Sequence, residues 1–257
     1  MHTLHQHFNI KPCKETVRQT LRRAGIKPRL RRRKPLLTKA HRKARREFVK
    51  EYQSWPAERW DHVIFCEEKI FSRIAIYQRL WTTAPKGSRL SEADVRQVPS
   101  HGGGSIGVWA NMTSKGPGFI HKIQGNLNAD QYLAILQEYL PLALLADDAQ
   151  GTNIWLLQDN SPVHKAKKVQ DWLAQQPIHV LRIPANSPDL NPIENLWATL
   201  QRELAKYKED PVNLKQLWER VMVEFYETPS RECSNLTRSM PDRIDAVRRS
   251  RGSWTRY

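Results

Sequence analysis

The sequence predicts an α/β fold, a mixed β-sheet flanked by helices, with a short basic helical arm ahead of it and a helical tail behind. Three observations predict it. From Trp60 onward, short apolar runs alternate with stretches of helical period, and strands alternating with helices in the second half imply a partly parallel sheet covered by helices. The chain has 257 residues, 39% of them hydrophobic, with 9 Trp, which is ample for a buried core and excludes a disordered polar tail. The third observation is the charge. Lys and Arg number 42 against 26 Asp and Glu, a formal +16 that points to a polyanionic partner. Residues 1–50 hold 17 basic residues and only two acidic ones, Glu15 and Glu47, so the rest is nearly neutral. A uniformly basic globule is thereby excluded, in favour of a basic arm attached to a body with another task.

The elements follow in order. Cys13–Ala24 places Val17 and Leu21 at i, i+4 among basic residues, with Gly25 positioned to end a short basic helix. Lys27–Lys34, in KPRLRRRK, cannot bury itself and reads as an extended linker that lies along phosphates or serves as a nuclear import signal. Residues 38–54 resume a basic helical pattern that ends before Pro56. His62–Phe65 reads as a buried strand and Ile70–Tyr77 as a second strand after a tight turn. Residues 82–104, with Pro85, Gly87, Pro99 and Gly102–Gly104, read as a long loop or mobile hairpin. Strands are predicted at Ser105–Ala110 and Gly118–Ile123, a helix over 128–146, a strand at Asn153–Leu157, a helix over 163–175, a strand at Ile178–Ile183 and a helix over 192–207. Residues 211–250 read as two or three helices parted at Pro229 and Pro241. Trp109, Trp155, Trp172 and Trp197 occupy apolar positions in these elements and read as core. The order matches a ribonuclease H-like core, although other α/β folds can be drawn from it too.

No segment approaches the roughly 18 apolar residues of a membrane helix, and MHTLHQHFNI lacks the apolar region of a secretory signal. Cys13, Cys66 and Cys233 are odd in number and far apart, which fits reduced thiols in a cytosolic or nuclear protein and gives no zinc spacing.

Acidic residues mark the ends of the predicted elements. Glu67 and Glu68 follow the first strand, Asp159 follows NIWLLQ, and Glu194 opens a helix in SPDLNPIENLW, with 34 residues between the last two. Carboxylates at neighbouring strand ends converge on one sheet edge, where a helix can add a third. Hard oxygen ligands of this kind suit Mg²⁺ or Mn²⁺. Two such ions, about 4 Å apart, activate a water or 3′-hydroxyl and stabilise the leaving oxygen in phosphodiester cleavage. Each residue also has a structural reading. Glu194 completes an approximate capping box if Asn191 caps the helix with Pro192 at N1. Asp159 can be a turn residue before Ser161 and Pro162. His164 and Lys165 either contact a phosphate or start a helix.

The strings LQDNSPVHKAKKV and PANSPDLNPIENLWATLQREL, with the 34-residue gap, resemble the catalytic domain of Tc/mariner superfamily transposases. KPLLTKAHRKARREFVKEYQSW, HGGGSIGVW and SMPDRIDAVRRSRGSWTRY extend the resemblance over the chain from about Val17. The resemblance implies a ribonuclease H-like DDE endonuclease that performs cut-and-paste DNA transposition and integration in the nucleus. It also implies double-stranded DNA, element ends and target, as substrate, two Mg²⁺ or Mn²⁺ ions as cofactor, and a homodimer in the DNA complex. Carried over by position, Glu67, Asp159 and Glu194 are the catalytic, metal-holding acids, and His101–Ser105 closes a loop that clamps the subunits together. The implied domains are 1–26, the remnant of a second helix-turn-helix unit, 27–56, a basic linker, 57–210, the catalytic domain, and 211–257, a helical extension.

Two departures from the family pattern shape the expectation. Its first-strand motif has Asp followed by Glu, whereas this chain reads Phe65-Cys66-Glu67-Glu68, one methylene longer at the first acid. A carboxylate displaced by around 1 Å costs on the order of 100-fold in rate, so impaired turnover is expected. The resemblance further implies two helix-turn-helix units ahead of the catalytic domain, and this sequence starts near the end of the second, so an N-terminal truncation is expected. Specific recognition should then fall, while electrostatic DNA contact persists through Arg18, Arg22, Arg23, Arg29, Arg31, Arg32, Arg33 and Lys34 and weakens steeply with salt. The competing reading is a catalytically inert, transposase-derived module that binds DNA or protein.

Overall fold

The computed structural model describes residues 13–26, 34, 36–73, 103–146 and 154–257. The chain divides into two compact units, Met1–Pro35 and Leu36–Tyr257.

In the first unit the basic helix is α1, Lys14–Arg23. The Cys13 sulfur accepts the Thr16 N–H at 3.4 Å and caps its start. Gly25, at φ +72°, takes the left-handed conformation that ends a helix without strain only where there is no Cβ. No residue of α1 is buried, so Arg18, Arg22 and Arg23 face solvent, with Arg18 2.9 Å from Glu15. Lys34 is also exposed. Arg29, Arg31, Arg32 and Arg33 lie outside the described residues, as does most of the 82–104 loop, His101 included.

The second unit is built on five strands, β1 (Val63–Ser72), β2 (Ser105–Thr113), β3 (Gly116–Ile123), β4 (Ile154–Gln158) and β5 (Ile178–Arg182), in the spatial order β3-β2-β1-β4-β5. The first three pair antiparallel, and β4 and β5 add in parallel. This is the mixed sheet expected. The first strand differs from expectation. The sequence reading ends one strand at Phe65 and begins another at Ile70, but the ladder with β2 runs unbroken from Phe65 opposite Met112 to Ser72 opposite Ser105. Cys66-Glu67-Glu68-Lys69 is therefore strand rather than turn. Residues 74–77 lie outside the described residues.

Alternation along β1 sends side chains to two separate cores. Val63, Phe65 and Phe71 join Val108, Met112, Leu157 and Leu181 in one. It is covered by α2 (Lys39–Tyr52), the short α3 (Ala57–Trp60), α6 (Ile193–Leu204), α7 (Leu214–Tyr226), α8 (Ser230–Arg238) and α9 (Met240–Arg249). Ile64 and Cys66 join Trp109, Ile154 and Leu156 in the other, beneath α4 (Ala129–Ala146) and α5 (Lys167–Leu173). Trp60, Trp109 and Trp197 are fully enclosed, while Trp155 and Trp172 are half-buried at the margins.

Residues 36–56, read from the sequence as the end of a linker, belong to this second body. Thr38 caps α2, and Phe48, Val49, Tyr52 and Trp55 fill the first core. The helical tail belongs to it as well, through Leu217, Val221, Phe225, Met240, Ile244 and Val247. Arg45, 1% exposed, ties the two ends of this body together. It grips both carboxylate oxygens of Asp189 at 2.7 Å and donates to the carbonyls of Gly252 and Ser253 at 3.0 and 3.1 Å. Arg243 adds bonds to the Asp189 carbonyl and to Asn195, and Thr255 donates to Asp189. Asp189 lies in a single 3₁₀ turn, Pro188–Leu190, that leads into α6.

Candidate active site

The register of the parallel pair fixes the first two acids. Phe65 lies beside Leu157, and two positions further along each chain stand Glu67, within β1, and Asp159, just past β4. The third, Glu194, comes from the opposite direction. It is the second residue of α6, whose Ile193, Leu196, Trp197 and Leu200 pack on the face that Glu67 shares with Phe65. The sheet edge and the returning helix thus bring together the three acids singled out from the sequence.

Each carboxylate is held by a protein partner. Asn191, fully buried, donates to Glu67 Oε2 at 2.8 Å and to the Cys66 carbonyl at 3.4 Å. It does not cap α6: Pro192 occupies the cap with no side-chain bond, so the capping-box reading of Glu194 fails because the amide is turned to Glu67. Asp159 accepts the Ser161 N–H at 2.8 Å, so its turn reading holds, and a second partner is added when His164 Nδ1 approaches Asp159 Oδ1 to 2.8 Å. The other ring nitrogen of His164 lies 3.1 Å from Glu68 Oε1, and the ring packs on Tyr132 with centroids 4.2 Å apart. His164 is 2% exposed and faces inward, away from any phosphate outside, and the helix after it starts only at Lys167. Glu68 projects to the opposite face from Glu67, so the adjacent acids do different things. Lys69 Nζ stands 3.2 Å from Glu194 Oε2.

These contacts set the charges. Burial, then repulsion from Glu68, Asp159 and Glu194, pushes the Glu67 carboxyl up to about 8. Burial also works against charge on Asp159, but bonds from His164 and the Ser161 amide override it and hold that carboxyl below its ordinary value. For His164, burial alone would favour the neutral ring. Its bonds to Asp159 and Glu68 win and raise it to about 10, so it is a cation at neutral pH.

Residues 62–217 match the family described as DDE superfamily endonuclease, and residues 1–54 match a family described as transposase. The Tc1 transposase of Caenorhabditis elegans is 33% identical over 247 residues, covering 96% of this chain and 89% of the relative. The chain belongs to the Tc1/mariner transposases. The Tcb1 transposase of Caenorhabditis briggsae is 31% identical over the same shares. Among solved structures, the Mos1 mariner paired-end complex with Mn gives a TM-score of 0.81 at 19% identity, covering 98% of this chain and 78% of that one, and places the fold as ribonuclease H-like. The catalytic domain of Mos1 mariner transposase gives 0.64 at 18% identity, over 87% and 99%.

In this transposase the matched endonuclease region contains Glu67, Asp159 and Glu194. Their chemistry fits a divalent cation: all are hard oxygen donors, and burial and mutual repulsion, which together raise the Glu67 carboxyl, are offset by such an ion. Among the described residues no three His, Cys, Asp or Glu side chains are close enough to form a ready-made cage. The oxygens of the three acids are turned to Asn191, His164 and Lys69. Sequence reading missed Lys69, Asp189 and Arg45. A continuous β1 would have revealed Lys69, since residues two apart on a strand share a face.

Proposed function

We propose that Glu67, Asp159 and Glu194 hold the divalent cations for cut-and-paste transposition of double-stranded DNA, with turnover lowered by Glu at the first position. The observation that carries this reading is the parallel register that sets Glu67 and Asp159 on adjacent strands, with Glu194 brought to the same edge by the first turn of α6, within a DDE endonuclease region. Solved Mos1 relatives are described with a transposon end, with Mn and with Mg, which supports DNA as substrate and Mg²⁺ or Mn²⁺ as cofactor; a pair of ions is the form that phosphodiester chemistry favours. When bound, those ions supply an activated water or 3′-hydroxyl and a charge sink for the leaving oxygen.

The chain's own residues prepare the site. Asn191 fixes the rotamer of Glu67, the His164 cation fixes Asp159, and the Arg45–Asp189 pair sets where α6 begins and hence where Glu194 points. The exposed Arg18, Arg22, Arg23 and Lys34, together with Arg29, Arg31, Arg32 and Arg33, supply phosphate contacts, and the protein acts in the nucleus as a homodimer on DNA.

The test is Mn²⁺-dependent nicking of a plasmid carrying the inverted repeats that flank the gene, by the natural chain, Glu67→Asp and Asp159→Ala. Glu67→Asp should cleave on the order of 100-fold faster than the natural chain, and Asp159→Ala should not cleave. Equal, vigorous cleavage by the first two would remove the impairment. Absence of cleavage by both would favour an inert DNA-binding module, the reading that Glu at the first position also supports.

A further inference from the structure

Lys69 stands two residues beyond Glu67 on β1 and shares its face. Its ammonium lies 3.2 Å from Glu194 Oε2, in a pair whose side chains are only 27% and 32% exposed. The pair joins residues 125 positions apart, across the sheet edge to the first turn of α6. No other ion pair links Glu194 to a cation among the described residues. The carboxylate turned to this ammonium is the one that would complete a three-acid cage, and the acids do not form that cage as they stand.

An ammonium and a divalent ion compete for the same carboxylate, because their mutual repulsion grows as the distance between them shrinks. We propose that Lys69 is the resident counter-cation of Glu194: it neutralises the third acid, and a divalent ion must compete with its ammonium to reach that acid. Lys69 is on this account a positioning residue that weakens metal binding, setting the cation concentration at which the site loads. The inference rests on the reading of Glu194 as a metal ligand. A lysine serving only to brace α6 against β1 predicts the opposite sign, since its loss would loosen Glu194 and reduce affinity.

The experiment is calorimetric titration of Mn²⁺ into the full chain, without DNA, for the natural protein, Lys69→Met, Lys69→Gln, Lys69→Arg and Glu194→Gln, with folding of each checked by circular dichroism. Both neutral variants should bind Mn²⁺ on the order of tenfold more tightly, Lys69→Arg should bind as the natural chain does, and Glu194→Gln should bind more weakly. Unchanged or weaker binding by Lys69→Met and Lys69→Gln, with Glu194→Gln still weakened, overturns the role of Lys69 and leaves the ligand reading intact. Binding that Glu194→Gln does not alter, or no binding by any chain, overturns the ligand reading and this inference with it.

Discussion

Replacing Arg45 by Met removes the centre of the knot behind the catalytic edge. Asp189, 8% exposed, would keep its carboxylate in the interior with Thr255 as its remaining side-chain donor, and the carbonyls of Gly252 and Ser253 would lose theirs. Removing one partner of a buried pair costs about 3–5 kcal/mol, because the other charge stays buried and uncompensated. For a body of 150–250 residues each kcal/mol shifts the melting temperature by about 2–4 °C, so a fall of about 10 °C is expected at pH 8. The pH dependence distinguishes this cause from simple loss of packing. Burial works against the charged form of Asp189, but the bonds and charge of Arg45 hold its carboxyl below the ordinary value. In the natural chain its stabilisation is therefore present above the unfolded carboxylate pKa and lost only as pH falls through the lower folded one. In the variant burial prevails and raises the Asp189 carboxyl above the ordinary carboxylate value, so the deficit should shrink as pH falls from 8 to 5. Differential scanning calorimetry at pH 8 and pH 5 measures both. A deficit under about 2 °C at pH 8, or one as large at pH 5, would refute the reasoning.

Two further outcomes follow from the same geometry. In Gly252→Ala, a Cβ would stand 2.5 Å from the Arg42 carbonyl on a backbone at φ +84°, so the variant should lose about 2–3 kcal/mol, read as a lower midpoint in urea; an unchanged midpoint would mean the tail does not pack there. Glu67→Gln should melt above the natural chain, with a gap that opens as pH rises from 4.5 through about 8, because a carboxyl with a raised folded pKa stabilises below its unfolded value and loses that contribution across this window; parallel melting curves from pH 5 to pH 9 would contradict it.

The reach of the sequence follows from the range of each interaction. Helix ends were legible where the signal is local: Thr38 before α2, Gly25 after α1 and Pro229 before α8 all act within a few residues. The three acids were legible because each sits beside a strand or at a helix start that its own neighbours define. The strand through Cys66-Glu67-Glu68-Lys69 was not, since three charged residues in a row carry no alternation and resemble a turn. Pairing with β2, about forty residues away, holds them extended. Arg45 and Asp189 were invisible for a similar reason. A charged residue in a basic helix and another in a Pro-rich turn look solvated until a fold places them 2.7 Å apart.

That pair also bears on how the site is held. Arg45 reaches its partners across 144 and 207 positions of sequence, and contacts of such separation carry the entropy of closing the intervening chain. The turn that aims Glu194 is thus set by bonds that close the longest loops of this body. A lesion near Gly252 can therefore shift Glu194 without touching an acid. Variants at the two ends of this body belong in the same class as variants of the three acids proposed to hold the metal.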